Sequence, residues 1–306
     1  MSGNVEPSLR EVLARLESEI PAWQCATISI AELGGGLTNR SFRIDVADAT
    51  YVLRIPGPST ELLAIDRHNE IHNTQIAAQA GVGPGVVHHL ADWGVMVLEF
   101  IEGQTLSTET LATAEMTPRL AQLLQKLHRA PRFLRDFDTG RVLQQYRQVL
   151  AGRGWALPTG ARERMKTVEA VIAAVGRNGQ ATVACHNDLL PENVIDDGAR
   201  LWMVDFELSG NSDPYSELGN VCQELEYDAA GAAALCQAYF GAADERLLAR
   251  VGLYMILSDV CWALWGAIQM AISSREFDFE AYAQRRFDRA AEKLDSDMLP
   301  KWLALV

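Results

Sequence analysis

Three observations predict an α+β fold in two lobes. Alternating apolar and polar runs fall early in the chain, at residues 27–30, 41–46, 50–55 and 94–99. From Thr105 onward the apolar spacing changes to the three- and four-residue period of helices. Strands therefore precede helices without β-α alternation, which excludes a doubly wound parallel sheet and places sheet and helices in separate layers. The chain's 306 residues are enough for two cores. The expected division is a sheet-bearing lobe over residues 1–101 and a helical lobe over 102–306, with the hinge near Glu99–Gly103.

The elements follow in order. Residues 8–20 have amphipathic spacing and end at Pro21, which cannot continue a helix. The next three runs read as an antiparallel meander, with Gly34-Gly35-Gly36 joining the first two strands and Asp48 in the second turn. Residues 61–80 are expected to form a helix closed by Gly81-Val82-Gly83-Pro84. Strands near 86–88 and 94–99 complete the sheet. Residues 252–273 are apolar for about the length of a membrane span. Asp259 and Gln269 interrupt them, so a helix buried in the core is expected.

Nearly half of the residues are apolar, which fits a folded chain, and the net charge is −13. An acidic surface argues against nucleic-acid partners, which need cations to neutralise phosphates, and against anionic membranes. Cys25, Cys185, Cys222, Cys236 and Cys261 are scattered and odd in number, as in a reducing cytoplasm. The N-terminus has neither the basic start nor the apolar core of a signal peptide. A homodimer is left open.

The chemistry concentrates in His186-Asn187-Asp188-Leu189-Leu190-Pro191-Glu192-Asn193 and in Asp205-Phe206-Glu207, twelve residues on. Phosphoryl transfer needs a carboxylate to orient an attacking hydroxyl and oxygen ligands to hold Mg²⁺ against a triphosphate. A protein-kinase catalytic loop supplies an Asp, an Asn five residues later, and a metal-binding Asp on the next strand. Asp188, Asn193 and Asp205 reproduce that order, so a protein-kinase-like fold using ATP and Mg²⁺ is predicted. Asp188 is expected to act on the hydroxyl, and Asn193 and Asp205 to hold the metal. His186 is expected to shape the loop, and residues 213–220 to support it. On the nucleotide side, Gly35, Gly36 and Asn39 sit in a glycine turn able to approach phosphates. No lysine precedes Lys126, so Arg54 is the candidate phosphate-bridging cation and Glu70 its brace, with Arg67 and Glu61 as competitors. Adenine would meet backbone groups between Glu99 and Ile101. Glu207 stands where a protein kinase has a glycine, which disfavours a flipping activation loop; it is placed at the acceptor, with contact to metal left open.

These residues resemble the choline/ethanolamine kinase branch of the aminoglycoside-phosphotransferase-like kinases. The resemblance is carried by residues 184–193, Val204-Asp205-Phe206-Glu207-Leu208-Ser209-Gly210, and Gly219-Asn220 followed by Glu224. It continues in Gly35-Gly36-Leu37-Thr38-Asn39 and Tyr51-Val52-Leu53-Arg54-Ile55, and most distinctively in residues 262–269, 272–279 and 282–288. It implies phosphorylation of a small cationic alcohol, most directly choline, and implies Glu224 as a pocket carboxylate. A quaternary ammonium has no N–H donors and is best held by aromatic faces with negative charge nearby. Asp259, Trp262, Trp265 and Gln269 share a helix face and could form such a cage, closed by Phe279 and Tyr282. The plainer reading is that the tryptophans are core. Phe279 replaces a usual tyrosine and Ala229 a usual aromatic, which leaves ethanolamine as an alternative acceptor. Thiamine, an aminoglycoside, and a non-catalytic nucleotide-binding module are the other rivals.

Overall fold

The computed structural model describes residues 7–34, 36–58, 60–177 and 181–306. Helix α1 (Leu9–Glu19) starts at a reciprocal cap: the Ser8 hydroxyl accepts from Glu11 N at 3.3 Å, and the Glu11 carboxylate accepts from Ser8 N at 2.8 Å. Strands β1 (Ile28–Leu33), β2 (Asn39–Val46), β3 (Ala49–Pro56), β4 (Val86–Leu90) and β5 (Val95–Glu99) form an antiparallel sheet in the order β1-β2-β3-β5-β4. Alternation puts Phe42, Ile44, Val46, Leu53 and Ile55 into one cluster with Val12, Leu16 and Trp23, so α1 covers one sheet face.

The single helix expected over 61–80 is instead broken. A 3₁₀ turn spans Thr60–Leu63, Ala64 takes a left-handed φ of 60°, and α2 begins afresh at Arg67–Gln79. Asp66 is the cause: its carboxylate accepts from His68 N at 3.0 Å and Asn69 N at 3.1 Å, and an N-cap residue leaves the helical conformation.

Beyond the sheet the chain is mainly helical: α3 (Thr108–Leu111), α4 (Met116–His128), α5 (Thr139–Arg153), α6 (Ala161–Gly176), α7 (Pro214–Glu224), α8 (Ala229–Phe240), α9 (Glu245–Ile272), α10 (Phe279–Leu294) and α11 (Leu299–Leu305). Short strands β6 (Gln104–Thr105), β7 (Val183–Cys185), β8 (Val194–Asp196), β9 (Leu201–Met203) and β10 (Gly210–Ser212) pair as β6-β8-β9 and β7-β10. Those two ladders hold the ends of the segment that carries Asp188, Asn193 and Asp205. Helix α9 has the length and composition to cross a membrane, yet 94% of its most apolar stretch is buried inside the protein. It is the axis on which α5, α6, α7, α10 and α11 pack, which is the buried-core reading of residues 252–273.

Candidate active site

The catalytic segment runs from β7 to β8. Asn187 adopts a left-handed φ of 64°; its backbone N–H donates to Glu217 at 2.8 Å and its side-chain amide to Leu208 O at 3.0 Å. Leu189 N donates to Asn220 Oδ1 at 3.1 Å, and His186 Nε2 bonds to Val204 O at 2.8 Å. Burial lowers the pKa of His186 and favours the neutral ring, against the pull of this bond and of Glu217. Glu217 is itself held by His128 at 2.7 Å. Both supporting side chains come from α7, whose start is fixed by Pro214 and by Asp213 accepting from Tyr215 N at 3.0 Å. The chain therefore spends its buried polar groups on fixing the loop backbone, leaving the loop's own carboxylate uncommitted.

That carboxylate is Asp188. It is buried, and its Oδ1 has no hydrogen-bond partner among the described residues. Burial raises its pKa well above the ordinary value; Asp205, Glu207 and Glu224 push the same way, and Arg286 opposes them. Asn193 donates its side-chain N–H to Asp188 O at 2.9 Å, which commits the nitrogen and leaves the amide oxygen as a donor atom for a cation. Asp205 has φ 70° and a partly exposed carboxylate. An amide oxygen and a carboxylate are the hard donors that Mg²⁺ takes.

On the phosphate side, Arg54 of β3 is buried among three carboxylates. It is hydrogen-bonded to Asp205 and lies 3.2 Å from Glu70 and 3.4 Å from Glu207. Burial works against its charge, but the three carboxylates outweigh burial and keep it protonated. The Arg54–Glu70 contact is close without hydrogen-bond alignment, whereas Arg67 bonds Glu70 at 2.7 Å and so shares the brace. Glu207, expected at the acceptor, is bonded by residues expected at the nucleotide: Asn39 donates to it at 2.8 Å and Arg67 at 3.1 Å. Burial, reinforced by Asp205, raises its pKa to about 7 against the pull of Arg54 and Arg67. Gly36 is required here, because a Cβ would stand 2.8 Å from Asn39 O. Gly35 lies outside the described residues. Glu99 closes β5, its carboxylate accepting from Gly85 N at 3.1 Å, and half-buried Ile101 follows in the link to the helices.

The expected acceptor residues do gather. Trp262 and Trp265 stand 5.5 Å apart, centre to centre, and Phe279 and Tyr282 each lie 5.9 Å from Trp265. Both tryptophans belong to the core cluster of α5, α6 and α9, as the plainer reading had it. Asn187 and Trp262 line one small cavity, which sets Trp262 beside the catalytic segment. Gly266 lets Tyr282 approach, since a Cβ there would lie 2.9 Å from its ring.

Asp259 departs from expectation. It is fully buried, hydrogen-bonded to Gln223 and to Arg289 at 2.5 Å, with Arg286 at 3.3 Å. Its charge is spent on two arginines rather than presented to a ligand. Glu224 is likewise hydrogen-bonded to Arg286, whose guanidinium lies 5.5 Å from the Tyr282 ring centre. Gln269 is buried on the same helix. Sequence reasoning assigned no role to Phe277, Arg286 or Arg289. The repeat of Tyr282, Arg286 and Arg289 at four and three residues was the available signal.

Residues 29–252 match the phosphotransferase enzyme family. A solved choline/ethanolamine kinase family protein from Mesorhizobium loti superposes with a TM-score of 0.83 at 35% identity, covering 97% of this chain and 98% of that one. Choline kinase LicA from Streptococcus pneumoniae shares the fold, with a TM-score of 0.79 at 22% identity over 92% and 98% of the two chains. Ethanolamine kinase 2 of Mus musculus is 25% identical over 300 residues, 88% of this chain and 77% of the mouse protein. With its kinase-like fold and its catalytic segment in place, the chain belongs to the phosphotransferase enzyme family, on the choline/ethanolamine kinase branch.

Proposed function

We propose that the protein transfers the γ-phosphate of ATP to the hydroxyl of choline. The carrying observation is Asp188, a buried carboxylate with an unpartnered oxygen, within the field of Asp205, Glu207, Glu224 and Arg286. Asp188 orients the acceptor hydroxyl and takes up its proton as the oxygen attacks. Arg54, braced by Glu70 and Arg67, neutralises phosphate oxygens, and the turn at Gly36–Asn39 covers them. Mg²⁺ at Asn193 and Asp205 supplies charge neutralisation on the transferring group. We extend the proposal to a lobe boundary near Ile101 and to a reducing cytoplasm, where the five free cysteines would stay reduced.

The choice of choline over ethanolamine follows from charge. Glu224 and Asp259 are both engaged by arginines, so an ammonium with N–H donors finds its carboxylates occupied. A quaternary ammonium has no N–H donors and makes no such demand, and Trp262, Trp265 and Tyr282 are the candidate rings to receive it. ADP release with Mg-ATP against choline, ethanolamine, thiamine and kanamycin tests this. Choline-dependent turnover should fall about 10²- to 10⁴-fold in Asp188→Ala. Turnover with ethanolamine alone would refute the cage, and near-normal turnover in the variant would refute the role of Asp188.

A further inference from the structure

Arg275 lies between α9 and α10 and donates from Nη2 to the backbone carbonyl of Asn39 at 3.0 Å. Its segment, residues 273–278, belongs to the aromatic side: Phe277 lies 4.8 Å from Phe279 and 5.8 Å from Tyr282, ring centre to ring centre. Asn39 belongs to the phosphate side, where its side chain donates to Glu207. Leu37, in the glycine turn, packs on the large apolar cluster to which Trp262, Trp265 and Phe279 also belong. The Arg275 hydrogen bond thus connects the turn over the phosphates with the segment over the acceptor, and the turn rests on the same core as the aromatic side.

We propose that Arg275 is a positioning residue that clasps these two segments, so that nucleotide and acceptor each tighten the other's binding. Only the identity of the ligands rests on the function proposed above. The physical basis is ordering. Both segments are short, with 274–278 exposed and the turn open to solvent at Gly36, and either substrate must immobilise its own. With the clasp closed, the first ligand orders both, and the second binds a site already in place. Linkage then requires the effect to be reciprocal. Arg275 itself is exposed, so its removal leaves no buried charge behind.

The test uses the full chain as wild type, Arg275→Ala and Arg275→Lys. Hydrogen exchange is followed in peptides covering residues 36–40 and 273–278, with and without Mg²⁺ and a non-hydrolysable ATP analogue. In the wild type the nucleotide should slow exchange in both peptides. In Arg275→Ala it should still slow 36–40 but not 273–278, and Arg275→Lys, which keeps a donor, should restore part of the effect. In turnover assays, the acceptor KM of Arg275→Ala at saturating ATP should rise about five-fold or more, the lower end of typical coupling, with a smaller change in kcat. The clasp is overturned by unchanged protection of 273–278 in Arg275→Ala. It is equally overturned if the nucleotide does not protect that segment in the wild type, or if the losses merely track a lowered melting temperature. Should no alcohol be phosphorylated while the exchange pattern holds, the proposed function fails and the clasp stands.

Discussion

Replacing Gly266 by alanine inserts one methyl group between α9 and α10. Its Cβ would lie 2.9 Å from Tyr282 Cδ1, 3.1 Å from Ala283 Cβ and 3.4 Å from Ala283 Cα. Comfortable carbon contacts are about 3.5–4.0 Å, so the Tyr282 ring or the start of α10 must retreat by roughly half an ångström to one. Overpacking of this kind costs about 1–3 kcal/mol. Removing a glycine from a helix interior returns about 1 kcal/mol. The net loss is therefore about 0–2 kcal/mol, a fall in melting temperature of a few degrees at most. The effect on the acceptor is larger in proportion, because a cation over a ring is worth about 0.5–2 kcal/mol. Gly266→Ala should raise the choline KM about 2- to 30-fold and leave the ATP KM near its original value. An ADP-release assay with each substrate varied in turn, beside thermal unfolding, separates the two effects. An unchanged choline KM with a lowered melting temperature would show that Tyr282 only packs helices together, and would refute the cage.

Arg54→Met should leave Glu70 to Arg67, and Glu207 to Arg67 and Asn39. Because Arg67 already bonds both, the stability loss should fall near the lower end of the about 3–5 kcal/mol typical of a broken buried ion pair, measured by urea unfolding, with ATP affinity lost in calorimetry. Glu217 is buried, which would raise its pKa, but the bond and attraction to His128, with the Asn187 N–H and the other lowering influences around it, together outweigh burial and hold it below the ordinary value of 4.5. Its stabilising contribution is thus complete above that value and lost as pH falls through the lowered one. Glu217→Gln, which keeps an acceptor for Asn187 N but cannot titrate, should flatten the acid side of the stability curve and lower kcat. Chelation of divalent ions should abolish turnover and added Mg²⁺ restore it. Asn193→Ala should raise the Mg²⁺ required by at least about tenfold, as losing even a supporting residue around a metal does.

What was legible in the sequence was what local spacing dictates. Asp188, Asn193 and Asp205 lie within eighteen positions on segments whose ends are strands, so their grouping follows from chain geometry. The β1-β2-β3 meander and the burial of α9 were equally local, set by residue alternation and by unbroken apolarity. The interruption at Asp66 was readable in principle, since Asp with Glu70 four residues on is a helix-start signal, but the apolar spacing across residues 61–80 masked it. The partners of Glu207 were not legible because they are remote: Asn39 is 168 residues away and Arg67 is 140. Asp259 was read as a free charge on a helix face, while the arginines that absorb it come from α10, which no periodicity within α9 reveals. The contact of Arg275 with Asn39 spans 236 residues and has no sequence signature at all.

Helix α9 also constrains how the molecule can be made. Its 28 residues form a rod about 42 Å long, buried continuously from Ala249 to Gln269 and so without a face suited to water. Its most extensive neighbour is α10, and α11 packs on it too, both drawn from residues 279–305. On a ribosome, those residues emerge after the rod does. For the interval between, a length of apolar helix stands open to solvent, the kind of surface on which nascent chains associate and which chaperones cover. Yield in the cell should thus depend on how quickly the last two helices arrive, a kinetic demand imposed by the same buried axis that carries Trp262 and Trp265.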